Sequence, residues 1–227
     1  MNRLIFPENL KGHVTAFFTG KSPGADRKNI GEILKVGISV FYLPMQKHTD
    51  RVIVLESFRE PAIADAVITR QEGVLVGVQV ADCVPVLLYD RKKEVIGAVH
   101  AGWKGTSAGI LKNTVATMMD RFKCDAGDIL VAIGPSIRAC SYEVGYDVVR
   151  AVRHATGEGD YVLLKGERYS LDLAAANKYQ AISMGIPKES VWVSEECTFC
   201  NPDKFFSYRY AKGSTGRQGG FIGKIGS

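Results

Sequence analysis

Three short apolar runs, separated by brief polar breaks, constrain the fold of this chain more than any other feature of its sequence. Residues 74–80, 84–89 and 94–99 are rich in valine, isoleucine and leucine. Runs of this length and composition predict buried β-strands. We therefore expect a sheet in the first half of the chain whose neighbouring strands are joined by short turns.

The ends of these strands carry side chains that are chemically reactive. Asp82 and Cys83 fall in the first break, and His100 follows the third run, immediately before a glycine-marked turn. His48 follows a fourth candidate strand at residues 39–43 in a similar way. Rigid scaffolds hold reactive groups at strand ends and on the adjoining loops. The pattern therefore indicates a site built where several strands end.

Helical periodicity dominates the second half. Apolar positions predict a helix over residues 107–122, a second from about Glu143 to before Gly157, and a third that begins at Asp172 and ends at Gly185. Further strands are predicted at residues 129–133 and 191–193. The expected class is α+β, or mixed α/β, with the strands concentrated early and the helices late.

Length and composition limit the remaining possibilities. The chain has 227 residues and no linker-like or repeated segment, so we expect one domain over residues 1–227. No run approaches the roughly 20 apolar residues of a membrane span, and the opening residues lack a signal peptide, which predicts a cytoplasmic protein without membrane contact. The net charge of +5 is spread along the chain, which argues against nucleic-acid binding and slightly favours small anionic substrates.

His48, Cys83 and His100 form a ligand set that zinc or copper favours, and three protein ligands leave a coordination position open. Their spacings of 35 and 17 residues exclude a ligand pair on one helix, so the three groups would have to converge from separate strands. Each residue taken alone also fits an ordinary role, as a hydrogen-bonded histidine or a packed cysteine.

The other cysteines permit several interpretations. Five cysteines without a secretion signal make a disulfide framework improbable. Cys197 and Cys200 form a CxxC pair that fits half of a zinc site, a redox pair or simple packing. Cys124 and Cys140 are expected to be structural.

Several longer motifs resemble, in order and approximate spacing, those of the bacterial laccase-domain family. The resemblance runs from about residue 15 to the C-terminus. The motifs are residues 82–87, 100–105, 134–137, 142–144, 197–200, 205–209 and 215–217. Members of that family have been labelled polyphenol oxidase, multicopper laccase and purine nucleoside phosphorylase.

The resemblance implies a mixed α/β/α fold and a metal held by His48, Cys83 and His100, usually zinc, with copper behind the laccase label. It also implies phosphorolysis of adenosine, inosine and methylthioadenosine, with adenosine deamination as a second reaction. The chain departs from the family's usual Gln-Val-His-Gly in having Lys47 and Thr49 on either side of His48. That departure places substrate access near His48 in question.

The remaining candidate residues concern substrate and proton handling. Arg209 and Arg217 are candidates for phosphate binding because a guanidinium offers bidentate geometry, although each also fits a surface charge. Asp82 fits a proton carrier, an orienting residue beside Cys83 or a turn-capping aspartate. Gln46 and Ser207 are candidates for contacts with the base or sugar.

Lys104 lies beside the start of a predicted helix, where an anion is favoured, and it also fits a solvated turn residue. It completes the set of candidate substrate-binding residues.

Three functions from different chemistries follow. The first is a metal-dependent purine nucleoside phosphorylase with deaminase activity, whose partners are a purine nucleoside and phosphate. The second is a cysteine hydrolase in which Cys83 is the nucleophile and His100 its base. The third is a copper-dependent polyphenol oxidase, which is physically weak because the chain has only four histidines and two are already committed to one site.

Overall fold

The computed structural model describes residues 4–57 and 60–225, with the backbone alone at position 165; the expected domain limits at residues 1 and 227 lie outside these ranges. Within them the chain forms fourteen strands and six α-helices. The strands are β1 (Leu4–Ile5), β2 (Thr15–Thr19), β3 (Phe41–Tyr42), β4 (Val52–Val54), β5 (Ala66–Thr69), β6 (Leu75–Val80), β7 (Val84–Asp90), β8 (Ile96–Ala101), β9 (Ile129–Ile133), β10 (Glu143–Val144), β11 (Val162–Lys165), β12 (Arg168–Leu171), β13 (Val191–Val193) and β14 (Gln218–Gly223). The helices are α1 (Arg27–Leu34), α2 (Trp103–Ser107), α3 (Ile110–Phe122), α4 (Tyr146–Thr156), α5 (Leu173–Ser183) and α6 (Tyr208–Ala211).

The strands of the described ranges form two large sheets and one small one. The five-stranded sheet has the order β1-β2-β14-β6-β3, and the six-stranded sheet has the order β13-β9-β7-β8-β5-β4. A small sheet has the order β10-β12-β11. Consecutive strands β6 and β7 belong to different large sheets, so the three-residue break between them crosses from one sheet to the other.

The core explains why the central strands are continuously apolar. In β7, Val86 and Leu88 face one hydrophobic cluster while Leu87 and Tyr89 face another. The first cluster packs the six-stranded sheet against α3 and α5, and the second packs it against the five-stranded sheet. Because both faces of β7 are covered, all seven of its residues are buried.

The expected mixed α+β class is confirmed, and the two large sheets pack face to face between helical layers. Helix α1 covers the outer face of the five-stranded sheet, where Ile30 packs with Phe17 and Phe221. Helices α3 and α5 cover the outer face of the other sheet. The α/β/α arrangement implied by the resemblance is therefore extended by a second sheet.

Three element boundaries differ from expectation. The helix predicted over residues 107–122 begins at Ile110 instead, because α2 ends at Ser107 and Gly109 adopts φ 75° before α3. The helix predicted from Glu143 begins later, since Glu143 and Val144 pair with β12 as a strand. Residues 38–40 form a 3₁₀ turn, which leaves only Phe41–Tyr42 of the predicted fourth strand. None of the helices in the described ranges has the length and apolar character needed to cross a membrane.

Candidate metal and substrate site

The fold brings His48, Cys83 and His100 together. Strands β7 and β8 pair antiparallel, with Pro85 opposite His100, so Cys83, immediately before β7, lies near the end of β8. His48 approaches from the loop after β3. One ligand atom from each of the three residues lies within 4.8 Å of the others, and Cys83 Sγ is 3.9 Å from His48 Nε2. The predicted convergence is therefore present.

Asp65 orients both histidines, and sequence reasoning missed it. Its side chain is fully buried, and Oδ1 accepts hydrogen bonds from His48 N at 3.0 Å and from His100 Nδ1 at 2.8 Å. The other oxygen, Oδ2, accepts from Lys47 N at 3.2 Å, Thr49 N at 2.6 Å and Thr49 Oγ1 at 2.7 Å. Because Nδ1 of His100 is engaged by the carboxylate, Nε2 is left free to act as a ligand.

The backbone of His48 is strained. Its φ of 57° lies in the left-handed region, which a non-glycine residue adopts only when the surroundings enforce it. The amide N–H groups of residues 47, 48 and 49 all donate to the Asp65 carboxylate, which holds this conformation. These hydrogen bonds therefore keep the backbone strained at His48, whose imidazole must point toward Cys83 and His100.

The charges of the cluster stabilise one another. Burial alone raises the pKa of Cys83, but the charges of and hydrogen bonds to His100 and His48 outweigh it and lower the pKa to about 6. Burial opposes protonation of His100, yet the Cys83 thiolate and the Asp65 carboxylate raise its pKa to about 9. Hydrogen bonds from His100 and the loop hold the pKa of Asp65 well below its ordinary value despite burial. In the metal-free protein, the lowered pKa of Cys83 and the raised pKa of His100 together favour a thiolate–imidazolium pair.

Gly102 leaves room for the ligands. A Cβ at this position would lie 2.9 Å from Cys83 Sγ, closer than real Cβ contacts come, and 3.0 Å from His48 Cδ2, which is tighter than nine in ten of them. The turn after β8 therefore favours glycine, because a larger residue would push the Cys83 and His48 side chains out of their present positions.

These residues fit a metal ion. Two imidazoles and a thiolate are donors that zinc and copper both accept, and a carboxylate bound to the second nitrogen of a histidine is a usual partner in such sites. In the described ranges a second group of potential ligands consists of Cys140, Cys197 and Cys200. The sulfur of Cys140, for which a structural role is expected, thus lies beside the CxxC pair.

The cluster lies in a cavity of about 720 Å³. Among the predicted substrate-binding residues, Gln46, Arg209 and Arg217 line this cavity. Trp103 and Tyr142 add aromatic surface to its wall. The cavity is large enough for a nucleoside and an inorganic anion together.

Asp82 lines the cavity with both carboxylate oxygens engaged. Oδ1 accepts from Thr198 Oγ1 at 2.6 Å, and Oδ2 accepts from Arg209 N at 2.7 Å. Its backbone has φ 85°, so the residue turns sharply before Cys83. These contacts favour an orienting role over that of a proton carrier.

The two arginines differ in how they are held. Arg209 Nη1 donates to Glu143 O at 3.1 Å, and its guanidinium lies 5.1 Å from the centre of the Tyr142 ring. Arg217 Nη1 donates to the backbone oxygens of residues 215 and 216. Both side chains are exposed, and each retains further N–H groups for an anion.

The other three candidate residues have structural contacts. Gln46 exchanges two hydrogen bonds of 2.8 Å with the backbone of Gln79, which positions the cavity wall. Ser207 is buried and caps α6 by accepting from Tyr210 N. Lys104 is exposed beside the Trp103 ring and lines a smaller adjoining cavity of about 170 Å³.

One signal in the sequence could have revealed the role of Asp65. Asp65 is a single charged residue within the apolar stretch 61–68, and a lone carboxylate there indicates a buried, paired group. Tyr142 stands within a motif of the family resemblance, but nothing in its spacing predicts that it faces the cluster.

Together, the fold and the site define a mixed α+β protein with two histidines and one cysteine converging in a cleft. The sequence model of the family described as multi-copper polyphenol oxidoreductase laccase matches residues 21–224. The chain belongs to this family.

Similar proteins carry two kinds of name. The chain is 42% identical over 181 residues to a purine nucleoside phosphorylase of Clostridium acetobutylicum, covering 78% of this chain and 74% of that protein. It is 34% identical over 197 residues to adenosine deaminase RL5 from an unknown prokaryotic organism, covering 81% and 75%. The chain spans 58% of the length of a Bacteroides thetaiotaomicron relative named purine nucleoside phosphorylase. A solved structure, the Bacillus licheniformis hypothetical protein YfiH, matches with a TM-score of 0.87 and 31% identity over 92% of each chain.

Proposed function

We propose that this protein is a zinc-dependent purine nucleoside phosphorylase that acts on adenosine, inosine and methylthioadenosine and also deaminates adenosine. The observation that carries the proposal is the convergence of His48, Cys83 and His100 in a cavity that also holds two arginines. The names of the similar proteins support the same pair of reactions.

In phosphorolysis, a phosphate oxygen bonds to C1′ of the ribose while the bond from C1′ to the purine nitrogen breaks. The base leaves with that electron pair and takes up a proton, and ribose 1-phosphate remains. Arg209 and Arg217 are proposed to bind the phosphate, because a guanidinium pairs with two phosphate oxygens. Asp82 holds the backbone of Arg209 and thereby positions its side chain.

The aromatic wall is proposed to bind the base. Tyr142 and Trp103 present ring surface to the cavity, and purines stack well on such surfaces. The Arg209 guanidinium over Tyr142 stiffens that wall.

His48, Cys83 and His100 would hold the metal ion. When bound there, zinc would act as a Lewis acid and lower the pKa of a water toward ~7, which suits deamination at the purine ring. Asp65 keeps His100 in the tautomer whose Nε2 is free, and it fixes the direction of the His48 backbone.

The test is phosphate-dependent release of hypoxanthine from inosine by the purified protein, with its metal content measured. Activity should depend on phosphate, be lost with a chelator and return with zinc. Arg209→Gln and Arg217→Gln should raise the KM for phosphate more than the KM for inosine. Arg121→Gln is the matched control, since Arg121 lies on α3 in an exposed pair with Glu56.

A metal-loaded preparation that releases no hypoxanthine in the presence of phosphate would refute the phosphorylase. Equal loss of activity in Arg121→Gln and in the two cavity variants would refute the assigned phosphate contacts.

A cysteine hydrolase is the second candidate, and the lowered pKa of Cys83 beside His100 favours it. Such an activity would survive chelation and be abolished by alkylation of Cys83. The copper oxidase is less well supported, because the remaining two histidines belong to neither ligand group in the described ranges. His13 packs near Tyr89, and His154 lies in the last turn of α4. Metal analysis showing several copper ions per chain would restore it.

A further inference from the structure

A second cluster of thiols lies outside the cavity. The sulfurs of Cys140, Cys197 and Cys200 all lie within 4.8 Å of one another, and Cys140 Sγ is 3.4 Å from Cys200 Sγ. Cys140 comes from the turn after β9, and the other two come from the loop after β13. Two segments separated by more than fifty residues therefore meet at one group of three sulfurs.

The backbone around the cluster is well fixed. Ser136 and Cys197 form an isolated parallel bridge, and Thr198 N donates to Ser136 O at 3.1 Å. Asn201 donates to Cys197 O from both its backbone and its side-chain nitrogen. Ser141 Oγ lies 3.1 Å from Cys200 Sγ, which adds a hydroxyl beside the thiols.

Packing does not account for this arrangement. Cys140 and Cys200 are exposed, whereas a cysteine that serves as a small apolar side chain is usually buried. A disulfide between them would require their sulfurs to close to about 2.0 Å, and it would leave the convergence of Cys197 unexplained. Zinc–sulfur bonds of about 2.3 Å in a tetrahedron separate two sulfurs by about 3.8 Å, which is close to the observed spacing.

We propose that Cys140, Cys197 and Cys200 bind a thiophilic metal ion such as Zn²⁺, as a site separate from His48, Cys83 and His100. Binding replaces the thiol protons with metal–sulfur bonds, and the fourth position is open to water or to the Ser141 hydroxyl.

A metal ion in this cluster would join two parts of the cavity wall. Tyr142 lies two residues after Cys140, and Thr198 follows Cys197 and donates to Asp82. The ion would therefore clamp the segment that carries Tyr142 to the segment that supports Asp82. Its role is structural, because none of the three cysteines lines the cavity.

The test compares zinc stoichiometry of the full chain after loading and desalting under reductant. The wild type should hold two zinc ions. The His48→Ala/Cys83→Ala variant should hold one, and the Cys140→Ser/Cys200→Ser variant should also hold one. Cys124→Ala removes a thiol that belongs to neither cluster, so it should keep two.

Cobalt provides a spectroscopic readout that does not depend on activity. Co²⁺ added to His48→Ala/Cys83→Ala should give the near-ultraviolet thiolate-to-metal absorption of a multi-cysteine site. The further changes Cys140→Ser and Cys200→Ser should abolish that absorption. The buried Cys197 is left intact so that these variants fold.

Two results would overturn the proposal. One is a single zinc ion in the wild type with none in His48→Ala/Cys83→Ala. The other is a Cys140–Cys200 disulfide, detected by mass in protein purified under reductant, with no metal bound to the cluster. Zinc binding at this site is measured in a variant that lacks two of the cavity ligands. A negative result would therefore refute the second metal site without deciding whether the protein is a purine nucleoside phosphorylase.

Discussion

The substitution Asp65→Asn tests whether a buried carboxylate controls the metal site. Asparagine keeps the shape of the side chain but replaces one oxygen with an NH₂ group. If the NH₂ group takes the position of Oδ2, it faces the three groups that donate to that oxygen, which are the N–H groups of Lys47 and Thr49 and the Thr49 hydroxyl. If the NH₂ group takes the position of Oδ1, it faces only two, His48 N and His100 Nδ1. The second orientation leaves fewer donors unsatisfied.

With the NH₂ group in the position of Oδ1, we expect two effects. The His48 N–H loses its acceptor, and a buried unsatisfied donor lowers the free energy of unfolding by about 1–3 kcal/mol. His100 Nδ1 can pair with the NH₂ only by accepting a hydrogen bond, which moves its proton to Nε2 and blocks that nitrogen as a ligand. Loss of such an orienting partner weakens metal affinity by about 10–100-fold.

The assay is competition for zinc against a chromophoric chelator, with urea unfolding of the metal-free protein measured in parallel. Asp90→Asn is the matched control because Asp90 is also fully buried and accepts from two backbone N–H groups, yet it lies at the opposite end of β7 from Cys83. The control should leave zinc affinity unchanged. If Asp65→Asn bound zinc as tightly as the wild type, the assigned role of Asp65 would be wrong.

Three further outcomes follow from the same geometry. Gly102→Ala should weaken zinc binding at least as strongly as Asp65→Asn, because the new methyl group would displace the Cys83 sulfur. Gly37→Ala is the control, because its new methyl group would make only an ordinary contact and should leave zinc affinity unchanged. Equal zinc affinities of the two variants in competition assays would contradict this. In metal-free protein, alkylation of Cys83 should be half-maximal near pH 6 and faster above it, because the thiolate forms above its lowered pKa; a midpoint near 8.5 would contradict the interaction with the histidines. Thr49→Val should lower the unfolding free energy by about 1–3 kcal/mol, because the hydroxyl no longer donates to Asp65 or accepts from Arg51 N. Urea titration measures this, and an unchanged midpoint would contradict it.

The central strands and the cluster ligands were predictable because their signals are local. The apolar runs at residues 74–80 and 84–89 match β6 and β7 closely, since burial on both faces leaves no polar alternation to obscure them. Asp172 caps α5 as expected, with its side chain accepting from Ala175 N. The sequence therefore predicted the structure correctly where a residue's conformation depends on its neighbours in the chain.

The missed features depend on contacts between distant segments. Asp65 orients His100 from 35 residues away, and Cys140 meets Cys200 across 60 residues. The start of α3 after Gly109 was missed for another reason, because the apolar positions that predicted the helix all follow the glycine and do not mark where the helix begins. Periodicity reports which face is buried, and it does not report where the backbone turns.

The hydrogen bonds around Asp82 link the two proposed metal sites. Its carboxylate receives Thr198 Oγ1 on one oxygen and Arg209 N on the other, and its backbone precedes Cys83. Movement of the loop that carries Cys197 would therefore be transmitted through Thr198 to a cavity ligand and to a proposed phosphate contact. Asp65 also holds His48 and His100, and this support does not depend on the loop that carries Cys197. Loss of the second metal ion should therefore affect substrate binding more than zinc affinity at the first site.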